Sequence, residues 1–446
     1  MSGDRTVMKD VRYRVAPGGK LTGRVRVPGD KSISHRAVML GSLATGITEV
    51  AGFLEGEDSL ATLAAFREMG VPITGPREGR LEIHGVGLRG LREPVRALDL
   101  GNSGTSMRLM TGLLAGQSFA TTLTGDASLS VRPMLRVVDP LTRMGAHIDT
   151  GAAGTAPLEI HGGRALQGID YVMPMASAQV KSSILLAGLY ADGRTCVTEP
   201  APTRDHTERM LAGMGYPVLR EGHRVCITGG HALRAIRIDV PSDISSAAFF
   251  LVGASIATGS DLLLEHVGIN PTRTGVIEIL RRMGAAIEVS NPRQAGGEPV
   301  ADLYVRAAPL RGIDIPRELV PLAIDEFPAL FVAAACARGR TVLSGAEELR
   351  VKESDRIRVM ADGLVKLGID ATATPDGMVI EGGSLEAGCI DSQGDHRIAM
   401  AFSMAALRAE GEVEVRDCAN VSTSFPGFAD LAMAAGLKIE VAGERA

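Results

Sequence analysis

The residues best suited to chemistry in this chain are cations set beside hydroxyls, glycines and acids. Lys31, Ser32 and Arg36 lie in PGDKSISHR, and Arg108 follows GNSGTSM, whose glycines are Gly101 and Gly104. SAQVK supplies Ser177, Gln179 and Lys181, and DHR supplies Arg397. Arg132 stands in SVRP and Arg204 in TRDHTER, while in VKESDR Lys352 and Arg356 flank Glu353 and Asp355. Forked guanidinium donors and compact ammonium groups suit small anions that carry phosphates and carboxylates. Each motif alone has a plainer reading. KESDR reads as an exposed charged stretch, SAQVK as a helix cap followed by a surface lysine, and Asp325 of AIDEFP as a helix cap. His35, His206 and His396 lack the H-x-x-x-H or H-E-x-x-H spacing of a metal site, so no metal is expected.

What favours the chemical reading is where these motifs fall in a repeat. An apolar helical stretch ending in glycine recurs as FREMGVPI, LTRMGAHI, LAGMGYPV, LRRMGAAI, LVKLGIDA and AMAAGLKI, with Gly70, Gly145, Gly215, Gly284, Gly368 and Gly436 at its ends. Glycine just past a helix takes the left-handed conformation that closes the last turn. Earlier in each unit a polar marker (Asp30, Asn102, Ser177, Asp243, Asp325, Asp395) precedes a stretch rich in Ala, Leu and Met. VPGDKSISHRAVMLGSLATG and VPSDISSAAFFLVGASIATG are also alike, which suggests two halves of three units each.

Between markers the pattern is strand, helix, strand, helix and a strand pair, an α/β arrangement. The later helix of a unit is amphipathic. The earlier one, as in SSAAFFLVGASI, is apolar nearly all round and should be buried. Its polar start then collects with the others at one end of each half. Helix N-termini offer unpaired N–H groups and the positive end of the dipole, so that end should attract anions.

Bulk composition narrows the class. A chain of 446 residues suggests two domains, and 45% hydrophobic residues with a mean hydropathy of +0.14 fit a globular protein. Aromatics are scarce, at 3% with no Trp, which disfavours single-strand nucleic-acid binding by stacking. A net charge of -5 disfavours a general polyanion binder. Cys196, Cys226, Cys336, Cys389 and Cys418 are widely spaced and odd in number, so reduced thiols in a cytoplasmic protein are expected. No signal peptide or membrane-spanning run is visible.

Taken together, PGDKSISHR, LGNSGTSMR, SAQVK, RDHTER, NPTR, VKESDR and GDHRIAM resemble the ordered motifs of the enolpyruvylshikimate phosphate synthases, over about residues 20 to 440. SAQVK, RDHTER and NPTR are similar to the second class of these enzymes. The resemblance implies two similar domains, each of three βαβαββ units (an inside-out α/β barrel). The expected boundaries are 1–29 plus 241–446 for one domain and 30–240 for the other, with substrates in the cleft between them.

The resemblance further implies that Lys31, Ser32, Arg36, Ser177, Ala178, Gln179, Arg204, Asp325 and Lys352 hold shikimate 3-phosphate. Lys31, Gly104, Arg132, Gln179, Arg356 and Arg397 would surround phosphoenolpyruvate. Asp325 would be the base, Glu353 the proton donor, and Lys31 a catalytic cation. No cofactor, nucleic acid or membrane partner is implied, and a monomer is expected.

Two departures from the family pattern stand out. Thr423 of VSTSFP occupies a place where many members have lysine, and Ala178 a place where many have serine. Gly104 leaves room beside the phosphoenolpyruvate site, which implies sensitivity to glyphosate. UDP-N-acetylglucosamine enolpyruvyl transferase is the nearest alternative, but it needs a reactive cysteine. A ring-shaped DNA clamp would need a basic inner surface that this charge pattern lacks.

Overall fold

The periodicity of the sequence becomes six small sheets in the computed structural model, which describes residues 8–445. Strands Leu98–Asp99, Thr121–Thr124, His147–Thr150 and Leu158–His161 show the plan. The first lies parallel to the second, and the fourth joins antiparallel between the second and the third. The crossovers between the parallel strands are helices, as parallel pairing requires.

Three sheets are completed by distant segments. Met8–Gly19 pairs antiparallel with Val413–Arg416 and Leu437–Arg445, and Thr22–Val25 pairs parallel with Asp261–Gly268. Arg237–Asp239 closes onto Ala44–Ala51 in the same parallel sense. The chain forms two compact units. The N-terminal unit comprises 29–241 with 294–298; the C-terminal unit comprises 8–28, 242–293 and 299–445. The return segment 294–298 had no signal in the sequence. It joins the N-terminal unit where His206 Nδ1 lies 2.8 Å from Glu298 Oε1.

Each unit is built around three buried helices: Lys31–Leu43, Gly104–Ala115 and Ala178–Gly188 in one, and Ile244–Ile256, Phe327–Ala335 and His396–Ala405 in the other. Every residue of Ile244–Ile256 and of Phe327–Ala335 is buried, as sequences apolar all round demand. Small residues let these helices approach closely. A Cβ on Gly112 would stand 2.0 Å from the Ser183 carbonyl oxygen, so two backbones touch there and only glycine fits. The glycines that end the amphipathic helices all have positive φ, from 80° at Gly215 to 119° at Gly436.

The cysteine expectation needs one correction. Cys196 and Cys226 are joined in a disulfide. They lie in strands Arg194–Thr198 and Arg224–Thr228, and the antiparallel register sets them directly opposite one another. A separation of 30 positions in the sequence hid that pairing. Cys336, Cys389 and Cys418 remain free thiols. No helix among the described residues is long and apolar enough to cross a membrane.

Candidate active site

In the N-terminal unit the starts of the three buried helices are tied to one another by polar side chains. Asp30 caps the Lys31 helix by accepting from Ile33 N (2.9 Å), and Ser103 and Ser177 cap the Gly104 and Ala178 helices. The cap of the second helix is thus Ser103; its neighbour Asn102 bonds Asp126 and Arg132 instead.

Arg36 crosses between elements, donating to Thr207 Oγ1 (2.7 Å), Ser182 Oγ (2.8 Å) and the Ser32 carbonyl (2.9 Å). Burial pulls the Arg36 pKa down to about 10, against the opposing pull of Glu208 and Asp30. It therefore stays charged at neutral pH. Arg204, half-buried just before the helix His206–Gly213, adds a like charge near Arg36. Lys31 Nζ lies 3.0 Å from Asp58.

A second group centres on Gly104. Gln179 accepts from Arg108 Nη1 (2.6 Å) and donates to Thr105 Oγ1 (3.0 Å). Arg132 is held by Asn102 Oδ1 (2.7 Å) and Ser128 Oγ (2.9 Å). A Cβ on Gly104 would lie 3.1 Å from Arg108 Nη1 and 3.3 Å from Arg132 Nη1, so the two guanidinium groups bracket this glycine. Arg108 is the contributor that motif reading left without a role. Its signal was its place one turn into a helix that begins with glycine. Ser177, Ala178 and Gln179 are all partly exposed at the start of their helix.

Lys181 departs from its plainer reading as a surface residue. It is fully buried, with Glu199 at 2.8 Å and Glu208 at 2.7 Å. A cavity of about 720 Å³, lined by Leu43, Tyr190 and His231 among others, lies at the opposite, C-terminal ends of these helices. None of the candidate site residues lines it.

The C-terminal unit gathers its charges around Arg356, whose side chain is 1% exposed. Its Nε donates to Asp395 Oδ2 (2.8 Å), Nη1 to Asp325 Oδ1 (3.2 Å) and Nη2 to Glu353 Oε2 (2.5 Å). Burial alone would lower the Arg356 pKa, but the three carboxylates outweigh it and push the value up. Asp395 also caps the helix His396–Ala405 by accepting from Arg397 N (3.0 Å). Arg397 Nη1 donates to the Asp325 carbonyl (3.1 Å), and Lys352 Nζ lies 3.6 Å from Asp325 Oδ1.

Asp325 is therefore no helix cap. The cap position is Glu326, which makes no side-chain capping bond. VKESDR is likewise no exposed stretch, because folding buries its arginine. NPTR serves packing: Arg273 is buried and donates to Ser245 Oγ (2.7 Å) and Asp243 Oδ1 (3.2 Å), bracing the start of the helix Ile244–Ile256. Thr423 is buried, and its hydroxyl donates to the Asn420 carbonyl (2.7 Å). At that place the side chain serves a local turn and supplies no charge.

The family model for EPSP synthase (3-phosphoshikimate 1-carboxyvinyltransferase) matches residues 15–431. The chain is 72% identical over 433 residues to the 3-phosphoshikimate 1-carboxyvinyltransferase of Methylococcus capsulatus, covering 97% of this chain and 99% of that one. Identity to the Alkalilimnicola ehrlichii enzyme of the same name is 70%, over 96% of each chain. Among solved structures, EPSP synthase from Acinetobacter baumannii superposes with a TM-score of 0.87 at 59% identity, over 97% of this chain and all of that one. The enolpyruvyl transferase NikO from Streptomyces tendae gives a TM-score of 0.79 at 16% identity, covering 98% and 99% of the two chains, a likeness of fold alone.

Proposed function

Because the chain belongs to the EPSP synthase family, as its match over residues 15–431 shows, we propose that it transfers the enolpyruvyl group of phosphoenolpyruvate to the 5-hydroxyl of shikimate 3-phosphate. Phosphate is released, and the product feeds aromatic biosynthesis. The observation that carries the assignment of roles is the Arg356 cluster. One buried guanidinium bonds both Asp325 and Glu353, so a candidate base and a candidate acid are held in one arrangement.

Asp325 takes the proton from the 5-hydroxyl as that hydroxyl oxygen attacks C2 of phosphoenolpyruvate, and Glu353, in its protonated form, delivers a proton to the methylene carbon. The adduct is tetrahedral. Return of a proton from its methyl group to the Glu353 carboxylate and departure of phosphate then restore the double bond. Each proton must move within hydrogen-bond reach of its donor or acceptor.

The substrates together bring roughly five to six negative charges, since each phosphate carries close to two. Lys31, Arg36, Arg132, Arg204, Lys352, Arg356 and Arg397 are the cations assigned to meet them. Ser32, Ser177, Ala178 and Gln179 orient shikimate 3-phosphate through hydroxyl, backbone and amide groups. Gly104 leaves space for phosphoenolpyruvate between Arg108 and Arg132. Fixing the two small anions lowers the entropy cost of their encounter.

The UDP-N-acetylglucosamine reaction is disfavoured by the thiols. Cys196 and Cys226 are bonded to each other, and burial pushes Cys336 and Cys418 up to about 12. Burial also raises Cys389, so no free cysteine is activated as a nucleophile. A cytoplasmic monomer is part of the proposal, and light scattering in solution tests the oligomeric state.

Phosphate release from phosphoenolpyruvate tests the function, with shikimate 3-phosphate or UDP-N-acetylglucosamine as acceptor. Asp325→Asn and Glu353→Gln should each slow the first reaction by about 100-fold or more. Release only with the second acceptor would overturn the assignment, and near-normal turnover in either variant would remove that residue from the mechanism.

A further inference from the structure

One group of metal-ligating side chains in the N-terminal unit has no part in the proposed reaction. The antiparallel strands His147–Thr150 and Leu158–His161 pair His147 with His161 and Asp149 with Glu159. Side chains alternate along a strand, so these four share one face. The burial pattern agrees: Ile148, Leu158 and Ile160 are buried, His147, Asp149 and Glu159 are exposed, and His161 is half-buried. His161 Nε2 lies 2.8 Å from Asp149 Oδ2, and His147 Nε2 lies 3.7 Å from Asp149 Oδ1. The two imidazoles stack with ring centroids 4.3 Å apart.

We propose that His147, Asp149 and His161 form a surface site for a divalent transition-metal ion of the zinc class. One donor atom from each of the three lies within 4.8 Å of the other two. Zinc bonds of about 2.0–2.2 Å bring tetrahedral donors to about 3.5 Å from one another, so the donors must close by about 1 Å. Rotations of exposed side chains supply that movement while the paired strands hold the Cα positions. Two imidazoles and a carboxylate select zinc, nickel or copper over magnesium or calcium, which prefer all-oxygen shells. Arg164 Nη2 sits 3.4 Å from His147 Nδ1, which leaves Nε2 as the ring nitrogen facing Asp149. A helical spacing rule cannot find such a site, because its two histidines are neighbours across strands.

Calorimetric titration of the metal-stripped full chain with Zn²⁺, in a non-coordinating buffer at about pH 7.5, tests the proposal. Loss of an outer-shell partner alone costs about 10–100-fold in metal affinity. His161→Ala and His147→Ala should therefore weaken the site at least tenfold, and Asp149→Asn should weaken it too. His231→Ala, a change at another exposed imidazole, should bind as the unaltered chain does. Unchanged phosphate release would show each variant folded. Zinc affinity in both His161→Ala and His147→Ala equal to that of the unaltered chain, or no zinc binding by the unaltered chain, would overturn the assignment.

Discussion

Replacing Gly104 with alanine adds one methyl group at the first residue of the helix Gly104–Ala115. Gly104 is not among the residues with positive φ, so alanine can adopt its backbone conformation. In a helix alanine is favoured over glycine by roughly 0.5–1 kcal/mol, and the fold should persist. The new Cβ would meet Arg108 Nη1 at 3.1 Å, Arg132 Nη1 at 3.3 Å and Leu129 Cδ1 at 3.7 Å. The first two contacts are tight, so each guanidinium must give by a few tenths of an ångström. Neither moves without disturbing partners: Arg108 is bonded to Gln179, and Arg132 to Asn102 and Ser128. On the proposed assignment of phosphoenolpyruvate to the space they border, the cost is felt by the anion that fills it.

One methylene in a shaped pocket is worth about 1–3 kcal/mol, a factor of about 10 to 200 in discrimination. The inhibition constant of glyphosate should rise by a factor in that range, and KM for phosphoenolpyruvate by less. The assay is phosphate release with both substrates, with and without glyphosate, beside a thermal melt. Equal inhibition of the altered and unaltered proteins would refute the reasoning. So would a large fall in Tm, because the methyl group would then be unseating the helix rather than the ligand.

Three other outcomes are expected. Arg356→Lys keeps a charge but loses the fork that joins Asp395, Asp325 and Glu353, and disruption of a buried ion cluster costs about 3–5 kcal/mol; an unchanged urea midpoint would show the fork dispensable. His35 is buried, and burial reinforced by Lys31 and Arg36 holds its pKa well below 6.5. Above pH 6.5 it is neutral folded or unfolded. Below that the unfolded state binds the proton first, so stability falls by up to about 1.4 kcal/mol per pH unit until the folded pKa is reached. His35→Gln should flatten this part of the urea-midpoint profile, and parallel profiles would sink the idea. Reducing the Cys196–Cys226 bond, or replacing both residues with alanine, opens a loop of about 30 residues and should cost about 3–4 kcal/mol; an unchanged midpoint would refute this.

Much of the architecture was legible because its signals are local. Polar markers and terminal glycines recur with each repeat, and both report on a single helix end. The chain set the N-caps at Asp30, Ser177, Asp243 and Asp395 and the left-handed glycines from Gly70 to Gly436 without help from distant residues. The ordered motifs likewise identified the family, since seven short segments in sequence carry that information by themselves.

Tertiary structure decided what depends on residues far apart in the chain. Asp325 looked like a helix cap until Arg356, Arg397 and Lys352 were brought to it from other segments. Lys181 looked solvated until Glu199 and Glu208 buried it. Cys196 and Cys226 became partners only through strand register, and the same kind of register made neighbours of His147 and His161. The physical reason is common to all of these. A cap or a turn is fixed by interactions within about one helical turn, whereas a buried charge is stable only where its partners are, and those partners are placed by packing across the whole unit.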